Sequence, residues 1–133
     1  PNAPEAEAAT GLRLSSPDAI DQAGGMLLET TGCRLCLLKL GRRGMTLFAA
    51  NGPAHHVDIV GDEEVADVTG AGDTVIAALA AGLAARLGAV NAMRIANTAA
   101  GVVVMKIGTA TASPDEVEHA ALAAGVELSP WGA

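Results

Sequence analysis

The stretch VADVTGAGDTVIAALAAG, residues 65–82, places two acids, Asp67 and Asp73, on either side of a run of small residues. An alanine-rich apolar pattern follows at once and predicts a helix from about Asp73 to Leu87. Gly70, Ala71 and Gly72 put almost no side-chain bulk in front of their backbone N–H groups. The first N–H groups of a helix have no intrahelical acceptor. Small residues leading into a helix N-terminus therefore form a cradle for an anion. A phosphoryl group in transfer is the anion that fixed amides serve best. A carboxylate at Asp73 repels such a group unless it has another task. A general base, within reach of a hydroxyl that attacks phosphorus, is one such task. Read from these residues alone, a second account also stands: Asp73 as a helix N-cap and the glycines as a plain turn. Other phosphate motifs do not fit. No G-x-x-x-x-G-K-[ST] occurs, and GAGDTV lacks the third glycine of a dinucleotide fingerprint.

Outward from this loop, helices and strands interleave. EAEAATGL (5–12) reads as a short helix. Ser16, Pro17 and Asp18 open a clearer one, running to about Thr30 and stopping near Gly32. RLCLLKL (34–40) and MTLFAA (45–50) read as strands joined by the turn GRRG (41–44), and HHVDIV (55–60) as a third strand with one wet face. A helix from about Val90 to Met105 precedes the loop KIGTATA. Ser113, Pro114 and Glu116 then form a capping box that starts a last helix over 114–124. Strands mixed with helices predict a layered α/β sheet.

The 133 residues suffice for one domain with a sizeable core. Half are hydrophobic, but aromatics are limited to one Trp and one Phe. The core must therefore come from Leu, Val, Ile, Met and Ala, with Met93 and Met105 among its members. A net charge of -7 argues against a nucleic-acid partner. The apolar run Val75 to Ala85 is too short for a membrane span. No secretory signal opens the chain, so cytoplasm is the expected location. It begins on Pro1, without an initiator Met, as a fragment or processed chain would.

These residues resemble the PfkB, or ribokinase-like, carbohydrate kinases. DVTGAGDTVIAALA (67–80) is similar to that family's C-terminal signature. PNAPE (1–5) resembles its N-x-x-E element, KLGRRG (39–44) its nucleotide turn, and ANTAAGVVVMKIGTATASP (96–114) its adenine-side helix and following loop. The pieces keep the family's order and span nearly the whole chain. Within the family the chain looks most like the D-glycero-D-manno-heptose-7-phosphate kinases of lipopolysaccharide-core synthesis. Those transfer the ATP γ-phosphate to the anomeric hydroxyl and occur alone or fused to an adenylyltransferase. Other members, acting on ribose, fructose or nucleosides, and a non-catalytic nucleotide-binding module remain alternatives.

The resemblance implies a ribokinase-like α/β/α layered fold, ATP and Mg²⁺ as cofactors, and a phosphorylated sugar as partner. It implies Asp73 as base and the amides of Gly70, Ala71 and Gly72 as anion hole. Gly41 and Gly44 would shape the turn over the ATP phosphates, and Asn97 would lie near adenine. Asn2 would lie near the phosphates, with Glu5 placing Mg²⁺ through water. Asp67 and Thr69, with carbonyls around Val103, Lys106 and Gly108 and with Ser113, would match a K⁺ loop behind the anion hole. A homodimer is the implied state of the full-length protein.

Lys39 departs from the family, which usually has Thr there. A Lys either lies on the phosphates as a point charge or turns to solvent. Arg42 and Arg43 are open to the same two readings, phosphate clamp or solvated turn. Length is the larger departure. Family members are roughly twice this size, so residues 1–133 resemble the C-terminal, nucleotide-side half of one kinase domain. On that resemblance the sugar-binding half and lid would lie outside these residues, so the isolated half is expected to be inactive and to expose a sheet edge.

The remaining polar groups read as structural. Cys33 and Cys36 lack the further ligands that zinc needs and read as buried or semi-buried thiols. His55 and His56 alternate faces on a strand, and His119 sits on a helix surface. GDEE (61–64) reads as a solvated acidic turn and Trp131 as a packing anchor in the tail.

Overall fold

A computed structural model describes residues 1–60 and 68–126. Asp67, the acidic stretch 61–64 and Trp131 lie outside them. The chain divides into two units, Pro1–Asp58 and Ile59–Ala133.

In the first unit, helix α1 (Ala3–Thr10) and helix α2 (Pro17–Thr31) precede a sheet of β1 (Leu35–Lys39), β2 (Met45–Ala49) and β3 (His55–Val57). The strands pair antiparallel in that order, with Leu37 opposite Leu47 and Thr46 opposite His56. Asn2 adds a parallel bridge to the end of β1, where the Lys39 N–H donates to the Pro1 carbonyl at 2.9 Å. Strand β1 alternates between buried and more open positions, whereas the central β2 is buried along nearly its whole length. Leu27, Leu38, Leu40 and Phe48 fill the space under the helices, together with Ala6, Leu14, Ala23 and Cys36.

The helix ends follow local chemistry. Ser16 accepts from the Ala19 N–H, Pro17 occupies the first turn, and Gly32 stops α2 in the left-handed region. Helix α2 crosses β2 closely because Gly24 has no side chain: a Cβ there would stand 2.5 Å from the Phe48 ring. A branched side chain at this point overpacks the core. Gly24→Val should destabilise by roughly 1–3 kcal/mol, read as a lower urea midpoint at unchanged m-value. An unchanged midpoint would show that Phe48 moves aside freely.

The second unit holds α3 (Ala71–Ala84), α4 (Ala89–Val104) and α5 (Pro114–Ala123). Helices α3 and α4 form a hairpin. They touch where a Cβ on Gly82 would meet that of Ala92 at 2.8 Å. Helix α4 is buried on most of its surface, and Met93 and Val103 are among its fully buried side chains. On another side Gly101 faces the Val60 backbone so closely that any Cβ would overlap its carbonyl oxygen. Many small residues thus let one helix accept several neighbours, which offsets the scarcity of aromatics. Among the described residues no helix is long and apolar enough to cross a membrane.

Three expectations shift. Met105 is no core residue: it follows α4 as its C-cap and is 43% exposed. Helix α3 starts two residues before Asp73 and ends at Ala84, where the chain turns through Arg86 at φ 60°. Strand β3 stops at Val57.

Candidate active site

The glycine turn is built from backbone geometry. Gly70 is the N-cap of α3, with φ 80° and ψ -6°, a left-handed conformation that favours glycine. No side chain caps this end. Thr74 donates its N–H to the Gly70 carbonyl at 3.0 Å, and Ala71 donates to Val68 at 3.2 Å. Gly72 and Asp73, at the second and third helical positions, direct N–H groups outward with no intrahelical acceptor. Of the three residues expected to form the anion hole, Ala71 thus already has a local acceptor, whereas no such bond is made by the amides of Gly70 and Gly72, nor by that of Asp73. Asp73 is exposed. It sits in the first turn and does not cap the helix, which removes the N-cap account of this acid. What remains is a carboxylate open to solvent beside bare amides at the positive end of a 14-residue helix.

The second glycine turn belongs to the first unit. Gly41–Arg43 form a 3-10 turn between β1 and β2. The Leu40 N–H donates to the Gly44 carbonyl at 2.8 Å, and the Gly44 N–H to the Gly41 carbonyl at 3.0 Å. Gly41 has φ 62°; Gly44 has φ 74° and ψ -140°. A Cβ on Gly44 would overlap the Val57 carbonyl oxygen. Lys39 ends β1, half-buried, beside Asn2. Arg42 is exposed. Arg43 is exposed, and its Nη1 donates to the Leu14 carbonyl at 2.6 Å, which braces the segment between α1 and α2.

Asn2 and Glu5 form a reciprocal capping box. The Glu5 N–H donates to Asn2 Oδ1 at 2.9 Å, and the Asn2 N–H to Glu5 Oε2 at 2.7 Å. The N-x-x-E spacing that points to phosphate and Mg²⁺ is thus also the spacing that starts α1. One oxygen of the exposed Glu5 carboxylate, Oε1, lies outside the box, compatible with a water-mediated metal contact. Asn97 is only 5% exposed, enclosed on α4.

Beyond α4 the chain loops through 105–113. The Val103 carbonyl accepts the Lys106 and Met105 amides at the C-terminal turn of α4. Gly108 has φ 76°. Ser113 Oγ accepts the Glu116 N–H at 3.3 Å, and Glu116 Oε2 accepts the Ser113 N–H at 2.8 Å, the second capping box. Lys106 Nζ donates to the Thr111 carbonyl at 2.7 Å and pairs with Glu116 Oε1 at 2.6 Å. The Lys106 hydrogen bond, with those from Ser113, holds the Glu116 carboxyl down at about 2. Its contribution to the cap is therefore present above the ordinary carboxylate range and is lost as pH falls toward 2. Thr109 lies beside the glycine turn: its Cγ2 would stand 3.8 Å from a Cβ on Gly70.

His56 Nδ1 meets Thr46 Oγ1 at 2.9 Å across the β2–β3 pair, and its Nε2 lies 3.5 Å from Asp58. Among the described residues no group of three or more His, Cys, Asp or Glu could hold a metal. Cys36 is buried, which pushes its thiol pKa up, and Cys33 is half-buried. An open groove of about 540 Å³ is lined by Asp21, Leu28, Glu29, Cys33 and Phe48. It lies toward the start of β1, whereas Gly41–Gly44 follow its end, and none of the candidate site residues among the described residues lines it.

The chain matches the pfkB family of carbohydrate kinases over residues 1–116. It is 42% identical over 120 residues to the bifunctional protein HldE of Pelobacter propionicus, covering 90% of this chain and 24% of that protein. Identity to HldE of a Shewanella species is 48% over 120 residues, 90% of this chain and 25% of the relative. The chain thus spans about a quarter of the length of these relatives. Among solved structures, ribokinase from Arabidopsis thaliana, complexed with ribose and ATP, superposes with TM-score 0.83 at 29% identity. That superposition covers 90% of this chain and 39% of the ribokinase. Phosphofructokinase-2 from Escherichia coli superposes with TM-score 0.79 at 20% identity, over 92% of this chain and 39% of that one, a likeness of fold.

Proposed function

The chain belongs to the pfkB family of carbohydrate kinases, and on that premise we propose that it supplies the nucleotide side and the base of an ATP-dependent sugar kinase. The acceptor we assign is the anomeric hydroxyl of D-glycero-β-D-manno-heptose 7-phosphate. The higher identity to the HldE proteins than to ribokinase supports heptose over ribose. The observation that carries the kinase reading is the pairing at α3: bare amides at Gly72 and Asp73, and an exposed carboxylate that caps nothing.

Each residue then has a task. The amides of the glycine turn hold negative charge on the transferring group, with Gly70 giving the turn its left-handed entry. Asp73 takes the proton from the sugar hydroxyl as it attacks. Gly41 and Gly44 let backbone, not side chain, approach the nucleotide phosphates, with Lys39 and Asn2 nearby in the same unit. Asn97, enclosed on α4, would back the adenine side. Mg²⁺, when bound, neutralises charge between the phosphates, and Glu5 is the side chain we assign to it through water. A K⁺ loop is proposed on Asp67 and Thr69, with carbonyls around Val103, Lys106 and Gly108 and with Ser113. The approach of Thr109 to Gly70 supports it by bringing Thr69 and Gly108, their chain neighbours, to the same place.

The test is phosphoryl transfer by the full-length protein with ATP·Mg²⁺ against heptose 7-phosphate, ribose, fructose and a nucleoside. We expect the highest kcat/KM for the heptose phosphate, with product phosphate on the anomeric oxygen. Preference for another sugar would overturn the heptose assignment. Calorimetric ATP binding without transfer to any sugar would leave a nucleotide-binding module.

A further inference from the structure

We propose that Lys106 is a positioning residue for the glycine turn, holding the 105–113 loop in the shape that backs Gly70. The proposal rests on the kinase reading above. Lys106 lies just past Met105, the C-cap of α4, and its Nζ reaches forward to the Thr111 carbonyl at 2.7 Å and to Glu116 Oε1 at 2.6 Å. The other Glu116 oxygen accepts the Ser113 N–H, so one ammonium ties the end of α4 to the loop and to the first turn of α5. Apolar side chains do not do this work: Ile107 is 92% exposed and Met105 43%. Thr109, inside the tied segment, lies against Gly70, the residue whose left-handed conformation aims the first turn of α3.

An ion pair this open adds little stability, so a positioning role and a structural role predict different results. A reacting group displaced by about 1 Å can cost about 100-fold in rate. The experiment uses the full-length kinase with Lys106→Met, Lys106→Arg and Glu116→Gln. Lys106→Met should lower kcat roughly tenfold, with KM for ATP and melting temperature near wild type. Lys106→Arg, which keeps a cationic donor, should restore most of kcat. Glu116→Gln should fall between them. The amide resonances of Gly70 and Gly72 in Lys106→Met should shift without nucleotide. Unchanged kcat with unshifted resonances would overturn the proposal. So would a fall in kcat that tracks melting temperature and is not rescued by Arg. Should Lys106→Met fail to fold, Glu116→Gln carries the same comparison of kcat and resonances. A wild-type protein that phosphorylates no sugar would overturn the kinase reading instead, and the resonance shifts would then decide the clamp alone.

Discussion

Asp73→Asn in the full-length enzyme should lower kcat by roughly 10²–10⁴-fold, the range a positioned general base contributes, with little change in KM for ATP. Asn keeps the size and shape of the side chain but cannot take the proton from the attacking hydroxyl. The fold should survive. Asp73 is exposed, caps nothing, and is replaced at the third position of a helix. The loss there is an interaction with the helix dipole, about 0.3–1 kcal/mol. Steady-state kinetics beside a thermal melt separate the two effects. A large fall in kcat at a nearly constant melting temperature assigns the proton transfer to this residue. Turnover within twofold of wild type would take Asp73 out of the base role and leave the amides of α3 as a binding feature only.

What the sequence makes legible is what is local. Ser16 with Pro17, and Ser113 with Pro114 and Glu116, mark helix starts because each cap is satisfied within three residues. The alternation in β1 and the turn at 41–44 are visible for the same reason. The start of α3 is less so, because Gly70 takes the cap by adopting a positive φ, which leaves no side-chain signature. Asn2 and Glu5 show the opposite failure. Their spacing satisfies a capping box as well as a ligand motif, and the box at 113–116 was the available signal for it. Contacts distant in sequence were out of reach. Nothing in GRRG announces that Arg43 reaches Leu14 across 29 positions. Nothing in KIGTATA announces that Lys106 pairs with Glu116. Met105 reads as core from its neighbours, yet one step past the end of α4 the helical face that would bury it has ended.

Gly44 carries the second large effect, and the two glycines of its turn should respond very differently to one methyl group. Gly41 has φ 62° and open space around the Cβ position, so Gly41→Ala meets only the left-handed penalty, about 1–2 kcal/mol. Gly44 has φ 74° with ψ -140°, and its Cβ would overlap the Val57 carbonyl oxygen and stand 2.9 Å from the Asp58 Cα. Both obstacles are backbone, so no rotamer change clears them. Relief requires the end of β3 to leave β2, where Met45 is paired with Val57. Strain of about 1–3 kcal/mol adds to overpacking of about 1–3 kcal/mol, a large part of a domain's total of roughly 5–15 kcal/mol. Gly44→Ala should therefore lower the urea midpoint of the full-length protein well beyond Gly41→Ala. If the turn covers the nucleotide phosphates, it should also weaken ATP binding, measured by titration under conditions where the variant is folded. Equal midpoints for the two variants would mean that the β2–β3 pair yields at Val57 without cost, and that the close approach at Gly44 does not fix the turn.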